Sequence, residues 1–316
     1  MAPLPNPEMN WDTEEFGALV RNALAEDLVE GEGLAAVDHT AHSIVAPHAT
    51  ANSRIVAKQN LVLAGLPLAE RVFRQLDAAI RVDKKFEEGA QVPACSVVAQ
   101  VQGSARTILT GERTALNFLA HLSGVASYTR QFVDAIAGTK ARIRDTRKTT
   151  PLLRSAEKYA VRLGGGVNHR FGLYDAMLIK ENHIALAGSV AEAIRRAHEH
   201  QLAHRETTAY ESFRPGAARD MLPIQVEVRN EAELREALAA GADSVLLDNL
   251  LPAQAAEFVA IVRRERPACL VEVSGGVKLS NVRAYAESGA DFIAIGALTQ
   301  SAPAADFSLL VDLPHL

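Results

Sequence analysis

Four cations crowd one short stretch of an acidic chain. Residues 144–154 read RDTRKTTPLLR, with Arg144, Arg147, Lys148 and Arg154 set among threonines and a proline. The whole chain carries 33 Lys+Arg against 38 Asp+Glu, a formal net charge of −5. From Arg142 to His183, however, there are nine Lys/Arg and four Asp/Glu. The positive charge is therefore a local site rather than a basic surface. The stretch LGGGVNHR adds His169 and Arg170 behind three glycines, and AMLIK ends on Lys180. Arginine suits planar carboxylates because its fork binds them bidentately. An ammonium at the end of an apolar strand is costly unless paired.

A second group has the opposite character. IQVEV carries Glu227, SVLLD ends on Asp248, CLVEVS runs into Ser274, Gly275 and Gly276, and FIAIG ends on Gly296. Glu227 and Asp248 can serve as counter-ions of the bases, or hold Mg²⁺ or sugar hydroxyls. The Ser-Gly-Gly turn can offer backbone N–H groups to a phosphate. Two such halves call for two ligands, a carboxylated small molecule and a Mg²⁺-bound phosphorylated sugar, and for a group transfer between them.

The elements that must position these residues follow a rhythm. After Lys140 the chain alternates strand, loop and helix. Strands are expected in ARIRDT, AMLIK, IQVEV, SVLLD, CLVEVS and FIAIG, short and apolar as parallel strands buried on both faces should be. SVAEAIRRAHEH opens on Ser189 with Glu192 three residues on, a capping box. NEAELREALAAG opens on Asn230 and closes on Gly241. EALAAGADSVLLDN and AYAESGADFIAIGA repeat one helix–turn–strand unit. Repeated βα units argue for a barrel or a doubly wound sheet, and the reactive residues collect where a βα barrel keeps its site, at strand C-terminal ends. Upstream, DTEEFGALVRNALAED, LPLAERVFRQL and the long TGERTALNFLAHLSGVASYTRQFVDAIAG read as helices, and SRIVAKQNLVLAG and CSVVAQVQG as strands. Residues 203–222 break the rhythm and read as an insertion or long loop. The first dozen residues are Pro/Asn-rich and expected to be poorly ordered.

Composition excludes several classes. A chain of 316 residues, 48% hydrophobic and 22% charged, is ordinary globular protein. Net negative charge and 5% aromatic content disfavour nucleic-acid binding. No run reaches membrane-spanning length, and the N-terminus lacks the basic and apolar regions of a signal peptide. A cytoplasmic location is expected. Cys95 and Cys269 sit far apart in apolar runs and are expected as buried, reduced thiols in strands.

The motifs TRKTTP, GGGVNHRFGLYDAMLIKENHI, VEVRN, LLDN and SGGV, in this order, with GERTALNFLAHLSG upstream, resemble the quinolinate phosphoribosyltransferase family. The resemblance runs from about Leu24 to the C-terminus. It implies an α/β fold: an N-terminal α/β sandwich domain plus an open seven-stranded α/β barrel. By position these would be residues 1–121 and 122–296, with 297–316 returning to the first domain. It implies transfer of the phosphoribosyl group of 5-phosphoribosyl 1-pyrophosphate to quinolinate, with loss of CO₂, using Mg²⁺ in de novo NAD biosynthesis. Carried over by position, Arg147, His169, Arg170 and Lys180 bind quinolinate, and Lys148 reaches the donor. Glu227 and Asp248 hold ribose hydroxyls and Mg²⁺, and Ser274, Gly275, Gly276 and Gly296 hold the 5′-phosphate. Lys148, Lys180, Glu227 and Asp248 form the catalytic set. Arg113 would reach quinolinate from the neighbouring subunit, which implies a homodimer with shared sites.

The sequence departs from the family pattern at Leu152, where glycine is common, in the longer EDLVEGEGLAAVDHT segment, and at 203–222. The rivals are a nicotinate-type or molybdenum-associated paralogue on the same fold and a non-catalytic metabolite sensor. The set Arg113, Arg147, His169, Arg170 and Lys180 favours a dicarboxylate, and Glu227 with Asp248 favours an enzyme.

Overall fold

The structure is a computed structural model and describes residues 9–28, 37–203 and 222–312. In chain order its elements begin with α1 (Glu14–Leu28), α2 (His39–Ile44), β1 (Thr50–Ala57), β2 (Leu61–Val62), α3 (Leu66–Leu76), β3 (Arg81–Lys84), β4 (Gln91–Val92), β5 (Val97–Ser104) and α4 (Ala105–Ala135). There follow β6 (Arg142–Arg144), α5 (Arg154–Leu163), β7 (Met177–Ile179), α6 (Glu181–Ala187), α7 (Val190–Ala203), β8 (Ile224–Val228), α8 (Glu231–Ala239) and β9 (Ser244–Asp248). The last are α9 (Pro252–Glu265), β10 (Leu270–Ser274), α10 (Val282–Glu287), β11 (Phe292–Ala294), α11 (Ala297–Gln300) and β12 (Phe307–Val311).

The chain divides into two compact units. One comprises residues 1–128, 151–164 and 302–316; the other comprises 129–150 and 165–301. The first unit is built on an antiparallel sheet in the order β12-β1-β5-β3, with a small β2-β4 pair. Its C-terminal strand zips onto β1, with Ile55 opposite Leu309. Gly124 of α4 lets Pro303 approach closely, since a Cβ there would lie 2.2 Å from its carbonyl oxygen. Trp11 stands edge-on to Tyr159 of α5, with ring centroids 5.0 Å apart, and its neighbour Phe16 is 4.7 Å away. The expectation of a loose first dozen residues therefore fails for Trp11, which a Pro/Asn-rich context conceals and an aromatic cluster holds. Residues 1–8 and 29–36, and almost all of the 203–222 stretch, lie outside the described residues.

The second unit carries a parallel sheet in the order β6-β11-β10-β9-β8-β7. Strands β7 to β11 neighbour one another in sequence order, and the first strand, β6, lies beside the last, β11, as a closing barrel requires. On its other side β6 meets a single parallel bridge, Arg144 to Val167. The described residues form six regular strands against the seven expected, and Val167 adds only an isolated bridge. Among the described residues, no pairing joins Val167 to β7, and the barrel is open there. Helices α7 to α10 contact β7, β8, β10 and β11 respectively. Ser189 and Asn230 cap α7 and α8 as their types predict, accepting from the N–H groups of Glu192 and Glu233.

The strands are not uniformly apolar. Val226, Val245, Leu247, Val271, Val273 and Ile293 are buried on one face. The alternate positions, among them Gln225, Glu227, Asp248, Glu272 and Ser274, face the other way, with period 2. That second face forms a polar barrel interior. Cys269 is buried as expected, whereas Cys95 is exposed, in a turn with φ 66°, before β5 begins. The preceding Pro93-Ala94 reads as apolar strand but makes that turn.

Candidate active site

The strand ends of the second unit surround a cavity of about 550 Å³. Eleven of the twelve expected site residues line it: Arg147, Lys148, His169, Arg170, Lys180, Glu227, Asp248, Ser274, Gly275, Gly276 and Gly296. Arg113 does not. It is exposed on α4, in the part of the chain that belongs to the first unit.

The cationic half is held by the motif before it. The carboxylate of Asp145, wholly buried, accepts from Asn168 Nδ2 at 2.6 Å and from the His169 backbone N–H at 2.7 Å. RDTRKTT thus clamps GGGVNHR, and the two motifs act as one. Downstream, Asp175 accepts from the N–H groups of Phe171 and Gly172 at 2.6 and 2.9 Å, closing the turn that carries Arg170. Arg170 is buried and donates to the carbonyl of Ala176 at 2.9 Å. Burial pushes the Arg170 guanidinium below its usual range; Arg147 adds to this and Asp175 opposes it. The Nε atoms of Arg147 and Arg170 are both buried and make no hydrogen bond. A buried guanidinium N–H without an acceptor is costly, and at the cavity wall an anion would relieve that cost.

Below it lies a fully buried polar layer that sequence reasoning missed. Arg144 donates to Glu272 Oε2 at 2.8 Å, and Gln225 Nε2 donates to the same oxygen at 3.1 Å. The guanidinium of Arg144 also covers the Phe292 ring, 3.5 Å from its centroid. His169 Nδ1 accepts from the Arg170 N–H at 2.7 Å, which leaves Nε2 as the protonated nitrogen, donating to Gln225 Oε1 at 3.0 Å. Burial opposes ionisation of Glu272, but His169, Arg144 and the Gln225 amide outweigh it and hold its carboxyl below the usual range. The signal for this layer was present in the sequence. Gln225 and Glu272 occupy the same face as the site residues Glu227 and Ser274.

On the acidic side, Lys180 Nζ lies 3.6 Å from Glu227 Oε2. Burial raises the Glu227 carboxyl above its usual range; Lys180 opposes this, while Asp248 and Glu181 add to it. Two carboxylates on one wall, with no cluster of three or more metal-ligating side chains among the described residues, suit Mg²⁺ rather than an all-protein metal cage. Magnesium keeps waters and takes few protein oxygens beside substrate phosphates. Gly275 and Gly276 line the cavity with φ of 95° and 63°, a left-handed pair. Gly296 serves another purpose too. A Cβ there would lie 2.8 Å from Lys148 Cδ, so its absence makes room for the lysine stem. Thr299 Oγ1 donates to the Lys148 carbonyl at 2.7 Å and fixes that segment. Lys278 and Gln300 also line the cavity, and sequence reasoning did not single them out. No helix among the described residues is long and apolar enough to cross a membrane.

Residues 38–123 match the family model "Quinolinate phosphoribosyl transferase, N-terminal domain", and residues 125–310 match the model of the C-terminal domain. The chain is 40% identical over 288 residues to a probable nicotinate-nucleotide pyrophosphorylase [carboxylating] of Synechocystis sp., covering 91% of this chain and 90% of that protein. It is 38% identical over 255 residues to the human nicotinate-nucleotide pyrophosphorylase [carboxylating], covering 80% of each. Among solved structures, the nicotinate-nucleotide pyrophosphorylase of Francisella tularensis superposes with a TM-score of 0.82 at 37% identity, covering 97% of this chain and 98% of that one.

Proposed function

The chain belongs to the quinolinate phosphoribosyltransferase family, and from that premise we propose that it transfers the phosphoribosyl group of 5-phosphoribosyl 1-pyrophosphate to quinolinate, yielding nicotinate mononucleotide, pyrophosphate and CO₂ for NAD biosynthesis. The observation that carries the reading is a single cavity with two unpaired guanidinium donors on one side and Glu227, Asp248 and the Gly275–Gly276 turn on the other.

Arg147, Arg170 and Lys180 hold the two carboxylates of quinolinate. His169 supports them through its ring and through the Arg170 backbone that its Nδ1 fixes. Ser274, Gly275, Gly276 and Gly296 receive the 5′-phosphate, and Lys148 reaches the donor. Glu227 and Asp248 hold the ribose hydroxyls and would hold Mg²⁺, which supplies charge neutralisation to the departing pyrophosphate. The C1–oxygen bond breaks, and its electron pair leaves with pyrophosphate. The quinolinate nitrogen bonds to C1. The bond from C2 to its carboxylate then breaks and CO₂ departs. The electron pair stays at C2 beside a cationic ring nitrogen, where a proton from water completes the product. No protein nucleophile is needed. The protein supplies position and fixed charge.

The same reading includes a homodimer in a cytoplasmic setting, with Arg113 supplied by the partner subunit. Its support is the exposure of Arg113 on α4. Mixing Arg113→Ala with Lys180→Ala subunits should restore activity through mixed dimers. No recovery after proven subunit exchange would refute the shared site. The activity itself is tested by incubating the protein with donor and Mg²⁺ plus quinolinate or, separately, nicotinate. Nicotinate mononucleotide and CO₂ in equal amounts from quinolinate alone are expected. Product from nicotinate alone would overturn the assignment.

A further inference from the structure

Asn249 lies just outside the cavity wall and is one of three non-glycine residues among those described with positive φ, at 55°. Such a conformation costs most side chains about 1 kcal/mol or more and is borne by asparagine more readily than by others. Its contacts run in two directions. Its Nδ2 donates to Asp248 Oδ2 at 2.8 Å. Its backbone N–H donates to the Ser274 carbonyl at 2.9 Å. Its Oδ1 fills the space where a Cβ on Gly275 would stand, only 2.1 Å from that point. The turns that it joins are braced behind it. Tyr285, buried, donates to the Leu250 carbonyl at 3.0 Å, and Asn281 Nδ2 donates to the Gly276 carbonyl at 3.0 Å.

One side chain thus links the end of β9, which carries an acidic residue of the site, to the glycine turn after β10. We infer that Asn249 is a positioning residue for the phosphoribosyl donor: it orients the Asp248 carboxylate and sets its distance from the Ser274–Gly276 turn, so that one ribose phosphate spans both. This rests on the assignment of Asp248 and the glycine turn to the donor. It explains why Gly275 carries no side chain beyond its own φ of 95°. A methyl group there would push Asn249 off Asp248.

The test is calorimetric binding of 5-phosphoribosyl 1-pyrophosphate with Mg²⁺, and separately of quinolinate, to the intact protein. Asn249→Gly suits it, because glycine accepts this φ and the position is exposed. Donor affinity should fall on the order of tenfold, the worth of one hydrogen bond to a charged group. Quinolinate affinity should stay unchanged, which also reports an intact fold. Gly275→Ala should weaken donor binding as well. In the Asn249→Gly background the same substitution should add less than it does alone, because the obstructing side chain is gone. If the wild-type protein binds no donor, the functional assignment beneath the inference fails. If the wild type binds donor and Asn249→Gly binds it equally well, the inference alone fails. Strictly multiplicative losses for the two substitutions would also overturn it.

Discussion

Replacing Glu272 by glutamine should unfold the second unit at much lower denaturant while leaving its shape intact. Glu272 is wholly buried, and its Oε2 receives both Arg144 and Gln225. Glutamine keeps the volume and one acceptor but removes the charge. Arg144, 1% exposed, would then lose the carboxylate 2.8 Å from its Nη1. Breaking a buried pair from one side costs roughly 3–5 kcal/mol. The Phe292 face beneath the guanidinium offsets about 1–2 kcal/mol when a cation is desolvated, but it is present before and after the change and does not reduce the loss. A loss of about 3 kcal/mol or more is therefore expected in urea unfolding at neutral pH. Removing both charges with Arg144→Met and Glu272→Leu should restore most of it, because apolar groups of similar volume commonly replace a buried pair at little cost.

The pH dependence follows from the same pair. The folded Glu272 carboxyl lies below its unfolded value. Its contribution is thus fully present above the unfolded pKa, near pH 4, and is lost as pH falls through the lower folded value. Wild type should lose stability across that acid window, and Glu272→Gln should lose less there. A Glu272→Gln penalty under about 1 kcal/mol, or single and double losses that simply add, would refute the account of the layer as a coupled buried charge pair.

Glu227 should set the acid limb of activity: its carboxyl is raised chiefly by burial and is checked by Lys180, so Lys180→Met should move that limb to higher pH in a kcat/KM profile for the donor. An unmoved limb would assign it to another group. Gly296→Val should displace the Lys148 stem and raise KM for the donor about tenfold or more, since a Cβ already falls 2.8 Å from Cδ, with no change in the melting temperature of the first unit. Leu152→Gly should stabilise the protein by about 0.5–1 kcal/mol in chemical unfolding, because Leu152 holds φ 66° while 79% exposed and loses little contact on truncation.

Much of the barrel was legible in the sequence because its physics is local. Asn230 caps α8 by its own side chain, and β8 and β9 end where their apolar runs end. Strand ends collect polar residues because only there does a buried strand meet an opening; nine of the eleven candidates that line the cavity were legible on that ground, and His169 and Arg170 by the glycine-rich loop before them. Leu152 was legible in another way. It departs from the glycine common in the family, and the structure gives it the left-handed φ that glycine would take without strain. What the sequence concealed depends on partners far along the chain. Nothing near residues 154–163 says that this helix, set between β6 and β7, counts with the first unit. Cys95 looked like strand because its neighbours are apolar, and only the positive φ after Pro93 turns it outward.

The interior layer shows where local reading stops. Arg144 opens the cationic motif and reads as one more ligand-binding arginine, yet it is among the largest fully buried side chains in the chain. Its partner, Glu272, lies 128 residues away on a strand that scans as apolar. Position in the barrel separates the two kinds of arginine. Arg147 and Arg170 line the cavity, whereas Arg144 is not part of its lining and its charge is matched by Glu272. A cavity lined by Arg147, Arg170 and Lys180 gains from a floor that contributes no further net charge, because like charges gathered there repel one another. The Arg144–Glu272 pair supplies such a floor. It also aligns Gln225, and through it the His169 ring, so that the stability of the second unit and the aim of its binding groups depend on the same few atoms.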